Sequence, residues 1–194
     1  MSASSEIQRT DKRPYVLSAA AAVLMTVGLD RMGRLPWCKY GDIRVFVSEA
    51  WNSPHTSQHL FDPYTFTHVL HGVMFFWLAS LIFREAASGW RFFVAVVAEA
   101  GWEVFENSTH VIEKYRANTI SLDYFGDSIT NSIGDVIACA VGFCVASKLG
   151  WWKSLVFFVV VELFLLIWIR DSLLLNVVML TCPLESIRDW QLSA

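Results

Sequence analysis

The sequence predicts an all-α protein, a bundle of about five membrane-crossing helices, and three observations carry that reading. Hydrophobic residues make up 55% of the 194-residue chain and charged residues only 17%. Mean hydropathy is positive, at +0.43, outside the balance of ordinary soluble domains. The apolar residues also fall in long blocks, of the length that crosses a hydrocarbon core of roughly 30 Å. One integral membrane domain over residues 1–194, with the lipid bilayer as its surroundings, is the expected organisation. Disorder is excluded by the same composition, and a net charge of -3 leaves no basic excess for a nucleic-acid partner.

The first block, 15–29, follows Arg9, Lys12 and Arg13 and precedes Asp30 and Arg31. It looks like a signal peptide, but no small-x-small cleavage site follows, so it reads as an uncleaved anchor. The second, 66–83, ends at Arg84-Glu85, and a turn containing Ser88-Gly89 leads into the third, 90–105, making a helical hairpin. The fourth, 128–145, and the fifth, 155–169, are separated by Lys148, Gly150 and Lys153. A last run, 173–182, stops at Pro183 and is too short for a span, which suggests a re-entrant or interfacial segment. Trp90, Trp151 and Trp152 sit where an aromatic belt is expected.

Basic residues divide almost evenly between the two faces, so the positive-inside rule does not orient the chain. Loop character does: one face has short, featureless loops, the other long loops rich in Asp, Glu, His, Asn and Trp. With the basic amino terminus cytoplasmic in an inner (plasma) membrane, the long loops are periplasmic. Residues 106–126 and the carboxyl terminus then share the face that carries residues 30–65.

Ionisable side chains within spans are costly and mark candidate sites. His68 and His71 open the second block at i,i+3; Glu99, Glu103 and Glu106 close the third; Asp127, Asn131 and Asp135 open the fourth at successive i,i+4 steps. Each set makes one stripe on its helix, and alternating spans bring all three to the same face. His68, His71, Glu99, Glu103 and Asp127 are thus candidate ligands of a divalent metal such as Zn, Mn or Fe. Glu103, Asp127 and Arg116 are the candidate catalytic groups. The plainer reading is a satisfied polar network, neutralised by Arg116 or Arg170, that locks helix register.

Other features take structural readings. Glu162 is expected to pair inside the bundle, with a partner such as His71. His55 and His59 would extend a metal site but read more simply as solvated loop histidines. Gly134 and Gly142 lie eight residues apart on one face and suit close helix packing. Cys139 and Cys144 read as small hydrophobes; Cys38 and Cys182 would pair only if both face an oxidising compartment.

Longer motifs carry a resemblance. Asn52-Ser53 with Ser57-Gln58-His59-Leu60, then Asp62-x-Tyr64-Thr65-Phe66-Thr67-His68-x-x-His71-Gly72, is followed by Glu99-Ala100-Gly101-Trp102-Glu103-Val104-Phe105-Glu106-Asn107-Ser108. Lys114-Tyr115-Arg116, Asp123-Tyr124-Phe125-Gly126-Asp127-Ser128 with Asn131-Ser132, Arg170-Asp171-Ser172, Leu175-Asn176-Val177 and Met179-Leu180 complete the set. Together these resemble a bacterial inner-membrane family, uncharacterised protein family 0314, over nearly the whole chain. Pro63, Thr67 and Ser172 depart from its pattern, and none of them removes an ionisable group. The resemblance implies a multi-pass plasma-membrane protein and no chemistry. A weaker likeness is to VanZ-like membrane proteins, through Arg116 and then Asp127, Asn131 and Gly134, though the Arg-to-Asp spacing is looser here.

Two functions follow. In one, the polar cluster fixes helix packing in a structural or accessory membrane protein. In the other, a metal-dependent membrane enzyme activates water and acts on an envelope lipid or lipid-linked precursor, with Arg116 holding an anionic head group. No nucleophile elbow, His-Glu-x-x-His or phosphate-binding Gly loop is present, which favours the first.

Overall fold

The computed structural model describes residues 11–51 and 53–193; Arg9 and Asn52, used above, lie outside them. Seven α-helices make up the described residues: α1 (Arg13–Arg31), α2 (Thr65–Ile82), α3 (Ser88–Glu106), α4 (Thr109–Asn118), α5 (Ile129–Ile169), α6 (Leu173–Thr181) and α7 (Glu185–Leu192). They contain no β-strand, only an isolated bridge between Phe46 and Phe61.

Local chemistry sets several boundaries. Pro14 occupies the first turn of α1, where its missing N–H costs nothing. Ser128 caps α5 by accepting the Asn131 N–H at 3.1 Å, and Ser172 caps α6 through the Leu175 N–H at 3.4 Å. Within α5 the helix is broken at Gly150, whose φ of +72° and ψ of -178° only glycine adopts readily.

Side-chain contacts fix the direction of each segment. His68 and Phe76 of α2 meet Asp135 and Phe143 of α5, so α2 runs parallel to residues 129–149. Trp77 meets Trp151 and Ser154 while Phe66 meets Phe164 and Trp168, so residues 151–169 run antiparallel to α2. The chain therefore reverses at Gly150, and α5 is a helical hairpin. Tyr15 against Phe92 and Gly28 against Val104 make α1 parallel to α3. His68 with Glu103, and His71 with Glu99, make α3 antiparallel to α2.

Five helical segments result, at the positions of the five apolar blocks. Of the helices, α2 and α5 are long and apolar enough to cross a membrane; α1 and α3 fall short of the five-span expectation. The physical reason is charge: α3 includes Arg91, Glu99, Glu103 and Glu106, and α1 includes Arg13, Asp30 and Arg31. Residues 173–181 form the short helix α6, which packs against α4.

The loops at 32–64 and 107–128 meet at one end of the bundle. Ile129 donates its N–H to the Leu35 carbonyl at 2.8 Å, Gln58 donates to the Gly126 carbonyl at 3.0 Å and Arg34 to the Phe125 carbonyl at 2.6 Å. Trp51 donates to the Ile169 carbonyl at 3.1 Å, which brings the carboxyl-terminal segment to the same end. Pro14 against Gly89 marks the other end.

Two apolar clusters hold the segments together. Leu70 and Val73 of α2 pack with Ala146, Phe158, Val161 and Leu165 of α5. Met25 and Leu29 of α1 pack with Val96 and Ala100 of α3 and with Ile129 and Val136 of α5. The outer surface is apolar as well, with Leu24 72%, Val156 64% and Ile167 84% exposed, while Glu99 and Glu103 are 0% exposed. Apolar side chains thus fill the interior and also cover much of the exterior.

Backbone meets backbone where α2 crosses α5. A Cβ on Gly72 would collide with the carbonyl of Cys139, one on Gly142 with the carbonyl of Val69, and one on Gly134 with the carbonyl of Leu60. The reading of Gly134 and Gly142 as close-packing positions is met. Gly142→Val should therefore lower stability by about 1–3 kcal/mol or more, seen as an earlier thermal melt in detergent. Gly101→Ala, where an added Cβ meets nothing within 4 Å, should leave the melt unchanged or raise it slightly.

Candidate functional site

The α2–α5 crossing sets His68 and His71 between α3 and α5. Both rings reach one carboxylate: His68 Nδ1 lies 2.5 Å from Glu99 Oε1, and His71 Nδ1 lies 3.0 Å from Glu99 Oε2. One turn further along α3, Glu103 Oε1 is 3.4 Å from His68 Nδ1. From the opposite side, Asp135 Oδ2 is 3.8 Å from His68 Nε2. His68, His71, Glu99, Glu103 and Asp135 are all buried.

Two overlapping sets of metal-ligand type arise here, His68–His71–Glu99 and His68–Glu103–Asp135, each with its donor atoms within 4.8 Å of one another. Three carboxylates face two imidazoles. Glu99 is satisfied, but among the described residues neither Glu103 oxygen has a hydrogen-bond partner, nor has Asp135 Oδ1. An unpaired buried charge is costly.

Asp127 joins the cluster indirectly. Its carboxylate accepts from Asn107 Nδ2 at 2.8 Å and from the Tyr124 hydroxyl at 3.0 Å, and Asn107 Nδ2 also donates to the Glu103 carbonyl at 3.0 Å. Burial raises the Asp127 pKa, against the lowering effect of these two donors. Asn131 turns elsewhere and donates to the His59 carbonyl at 2.9 Å. The three-residue stripe expected on the fourth block is thus divided, because Asp127 precedes the helix and does not share its face.

The cluster opens on a cavity of about 620 Å³. Its lining combines polar side chains, among them His68, His71, Asp127 and Tyr124, with apolar ones such as Met74, Phe75, Phe105, Val177 and Leu180. Its rim is tied by two buried carboxylates that the sequence reading did not select. Asp62 accepts the N–H groups of Ser57 at 2.8 Å and of Tyr64 at 2.8 Å. Asp171 accepts from the Tyr64 hydroxyl at 3.0 Å, Asn176 Nδ2 at 3.3 Å and Gln191 Nε2 at 3.2 Å. Burial pushes each of them up to about 6. Asp171 was visible only as part of Arg170-Asp171-Ser172; its partners lie on three separate elements.

Several expectations are corrected. Arg116 is exposed and donates to the Tyr124 carbonyl at 2.5 Å, and Arg170 donates to the Trp190 carbonyl and the Ser193 hydroxyl, each at 3.0 Å; neither guanidinium neutralises the cluster. Glu162 does not meet His71. It accepts the Leu173 and Leu174 N–H groups at 3.0 and 3.3 Å, where the free donors and positive end of α6 favour an anion. His59 is fully buried and His55 half-buried, so neither is a solvated loop histidine. All four cysteines are free, Cys38 buried and Cys182 exposed.

Residues 29–193 match the family described as Protein of unknown function (DUF2585). A UPF0314 protein of Paracoccus denitrificans (strain Pd 1222) is 42% identical over 178 residues, covering 92% of each chain. A UPF0314 protein of Agrobacterium fabrum is 42% identical over 179 residues, 92% of this chain and 90% of the relative. One of Rhizobium meliloti is 46% identical over 160 residues, 82% and 81% of the two chains. No solved structure matches this chain.

The two glutamates should respond in opposite ways to neutralisation. Glu99→Gln leaves two buried imidazoles without their shared carboxylate and should cost about 3–5 kcal/mol. Glu103→Gln removes a charge that accepts no hydrogen bond and stands 3.4 Å from an imidazole already bonded to Glu99, so the chelator-treated protein should melt at the same temperature or higher. Thermal denaturation in detergent reads both, and equal destabilisation by the two variants would place Glu103 in the same satisfied network as Glu99.

Proposed function

This chain belongs to the UPF0314 family, and from that premise we propose that it is a multi-pass inner-membrane protein that binds a divalent cation at its buried His/Glu/Asp centre, beside a lipid-sized cavity. The membrane placement draws on the apolar outer surface, on the length and composition of α2 and α5, and on Trp152, which is 81% exposed at the Gly150 turn. On this reading α1 and α3 also cross, their acidic groups facing inward, and the long loops lie in the periplasm.

The observation that carries the cation is the Glu103 carboxylate, buried and without a hydrogen-bond partner beside Asp135 and His68. A divalent ion at that point would supply the missing positive charge, and imidazole with carboxylate oxygen suits Zn, Mn or Fe. His68, His71, Glu99, Glu103 and Asp135 would hold it; Asp127, oriented by Asn107 and Tyr124, stands ready to hold or move a proton at the cavity wall. Such an ion lowers the pKa of bound water and polarises phosphoryl or carbonyl oxygens, the chemistry of hydrolysis or group transfer on an envelope lipid or lipid-linked precursor. The cavity volume falls in the usual range for ligand sites, roughly 300–1,000 Å³. Its mixed polar and apolar lining suits a molecule with a head group and a chain. No lysine or arginine lines it among the described residues, so an anionic head group would depend on the ion for its counter-charge.

A structural or accessory role is favoured by one observation, the bridging of both histidines by Glu99, which needs no ion. Metal analysis of detergent-purified protein separates the two. Wild type is expected to carry one more equivalent of Zn, Mn or Fe than Glu103→Gln, with both proteins equally folded. Identical metal content would leave the cluster as a packing device.

Topology has its own test. In a background without Cys144 and Cys182, an impermeant thiol reagent should label Leu122→Cys from the periplasm and Ser88→Cys only after the membrane is opened. Labelling of both from one side would overturn the five-pass placement.

A further inference from the structure

A second group of ligand-type side chains lies in the loop before α2, away from the buried centre. His55 Nδ1 is its hub, 3.6 Å from Cys38 Sγ and 3.2 Å from His59 Nε2. Cys38 and His59 are buried, and the three donor atoms lie within 4.8 Å of one another.

The spacings are those of a tetrahedron's edges. Zinc takes imidazole nitrogen at about 2.0–2.1 Å and thiolate sulfur at about 2.3 Å, so tetrahedral angles place two nitrogens about 3.3 Å apart and nitrogen about 3.6 Å from sulfur. The orientation of His59 agrees. Its Nδ1 lies 2.6 Å from the Arg44 carbonyl, which can only accept, so Nδ1 carries the proton and Nε2 turns its lone pair towards Cys38 and His55. A backbone carbonyl holding the far nitrogen of a histidine is the usual support of a metal-bound imidazole. Asp42 Oδ2, 3.8 Å from His55 Nδ1, accepts from Arg44 Nε at 2.7 Å and lies outside that set.

We propose that Cys38, His55 and His59 form a structural zinc site, with a water as the fourth ligand. A thiolate with two imidazoles selects zinc over the hard cations that prefer oxygen. On binding, Cys38 loses its thiol proton to solvent and the sulfur lone pair goes to the metal. The site explains how residues 32–64 hold their shape. Their described residues contain no helix and one isolated bridge, yet the His59 carbonyl receives Asn131 and the Leu60 carbonyl seats Gly134. A metal staple between residues 38 and 59 would fix that segment. It is independent of the buried cation proposed above.

Cobalt(II) is the probe, because only a thiolate ligand adds a sulfur-to-cobalt charge-transfer band in the near ultraviolet. Titrating metal-free, detergent-solubilised full-length protein with Co2+ should give that band, saturating at one equivalent and bleached by Zn2+. It should be lost in Cys38→Ser and persist in Glu103→Gln, so the two sites fail or survive separately. Alkylation followed by peptide mass mapping provides a readout in the wild-type protein: Zn2+ should protect Cys38 and leave exposed Cys182 equally reactive. No charge-transfer band in folded wild type, a band that survives Cys38→Ser, or a Cys38 whose alkylation ignores Zn2+ would each overturn the proposal.

Discussion

The backbone contact between α2 and the first half of α5 is the constraint on which the rest of the molecule depends. Gly72 and Gly142 let each helix lay its backbone on a carbonyl of the other, and this close approach gives van der Waals contact that side chains would otherwise hold apart. It also sets the register. With residue 72 against 139, residue 68 must fall against 135, and an imidazole meets a carboxylate. The polar centre follows from a steric fact about two glycines, and α3 then supplies Glu99 and Glu103 to whatever that crossing has placed there.

Side chains within regular helices were legible in the sequence because helical spacing is rigid. His68 and His71 at i,i+3 and Glu99 and Glu103 at i,i+4 land on single faces wherever those helices sit, and the alternation of apolar blocks brings the faces to one end. Legibility ends where backbone groups are the partners. Glu162 finds N–H donors on a helix eleven residues later, Arg116 finds a carbonyl eight residues away, and Asp171 gathers a tyrosine, an asparagine and a glutamine from three elements. None of those partners has a side-chain pattern that announces it. The fourth block misled for a related reason: Asp127, Asn131 and Asp135 are spaced as one stripe, but the helix begins only at Ile129 and the stripe loses its first member. The burial of His59 depends on how residues 32–64 fold back over α5, a tertiary outcome that loop composition does not encode.

Charge placement links the two ends of the argument. Glu99, Glu103, Asp135 and Glu162 are buried within the bundle while Leu24, Val156 and Ile167 are exposed, and the carboxylates without a hydrogen-bond donor collect where the cavity begins. A network built for packing satisfies most of its buried oxygens, and charged ones above all. Glu99 fits such a network and Glu103 does not, so one helix carries both a closed pair and an open position a single turn apart.

The reversal at Gly150 has a consequence for assembly. Residues 129–149 and 151–169 are joined by one residue in a conformation other amino acids resist, with no slack between them. Both halves pack on α2, and the first also packs, through Ile129 and Val136, on α1 and α3. The two halves therefore dock onto α2 as one object. The polar centre is completed by the last large element to arrive, and an unfinished chain would hold His68 without its carboxylate from α5.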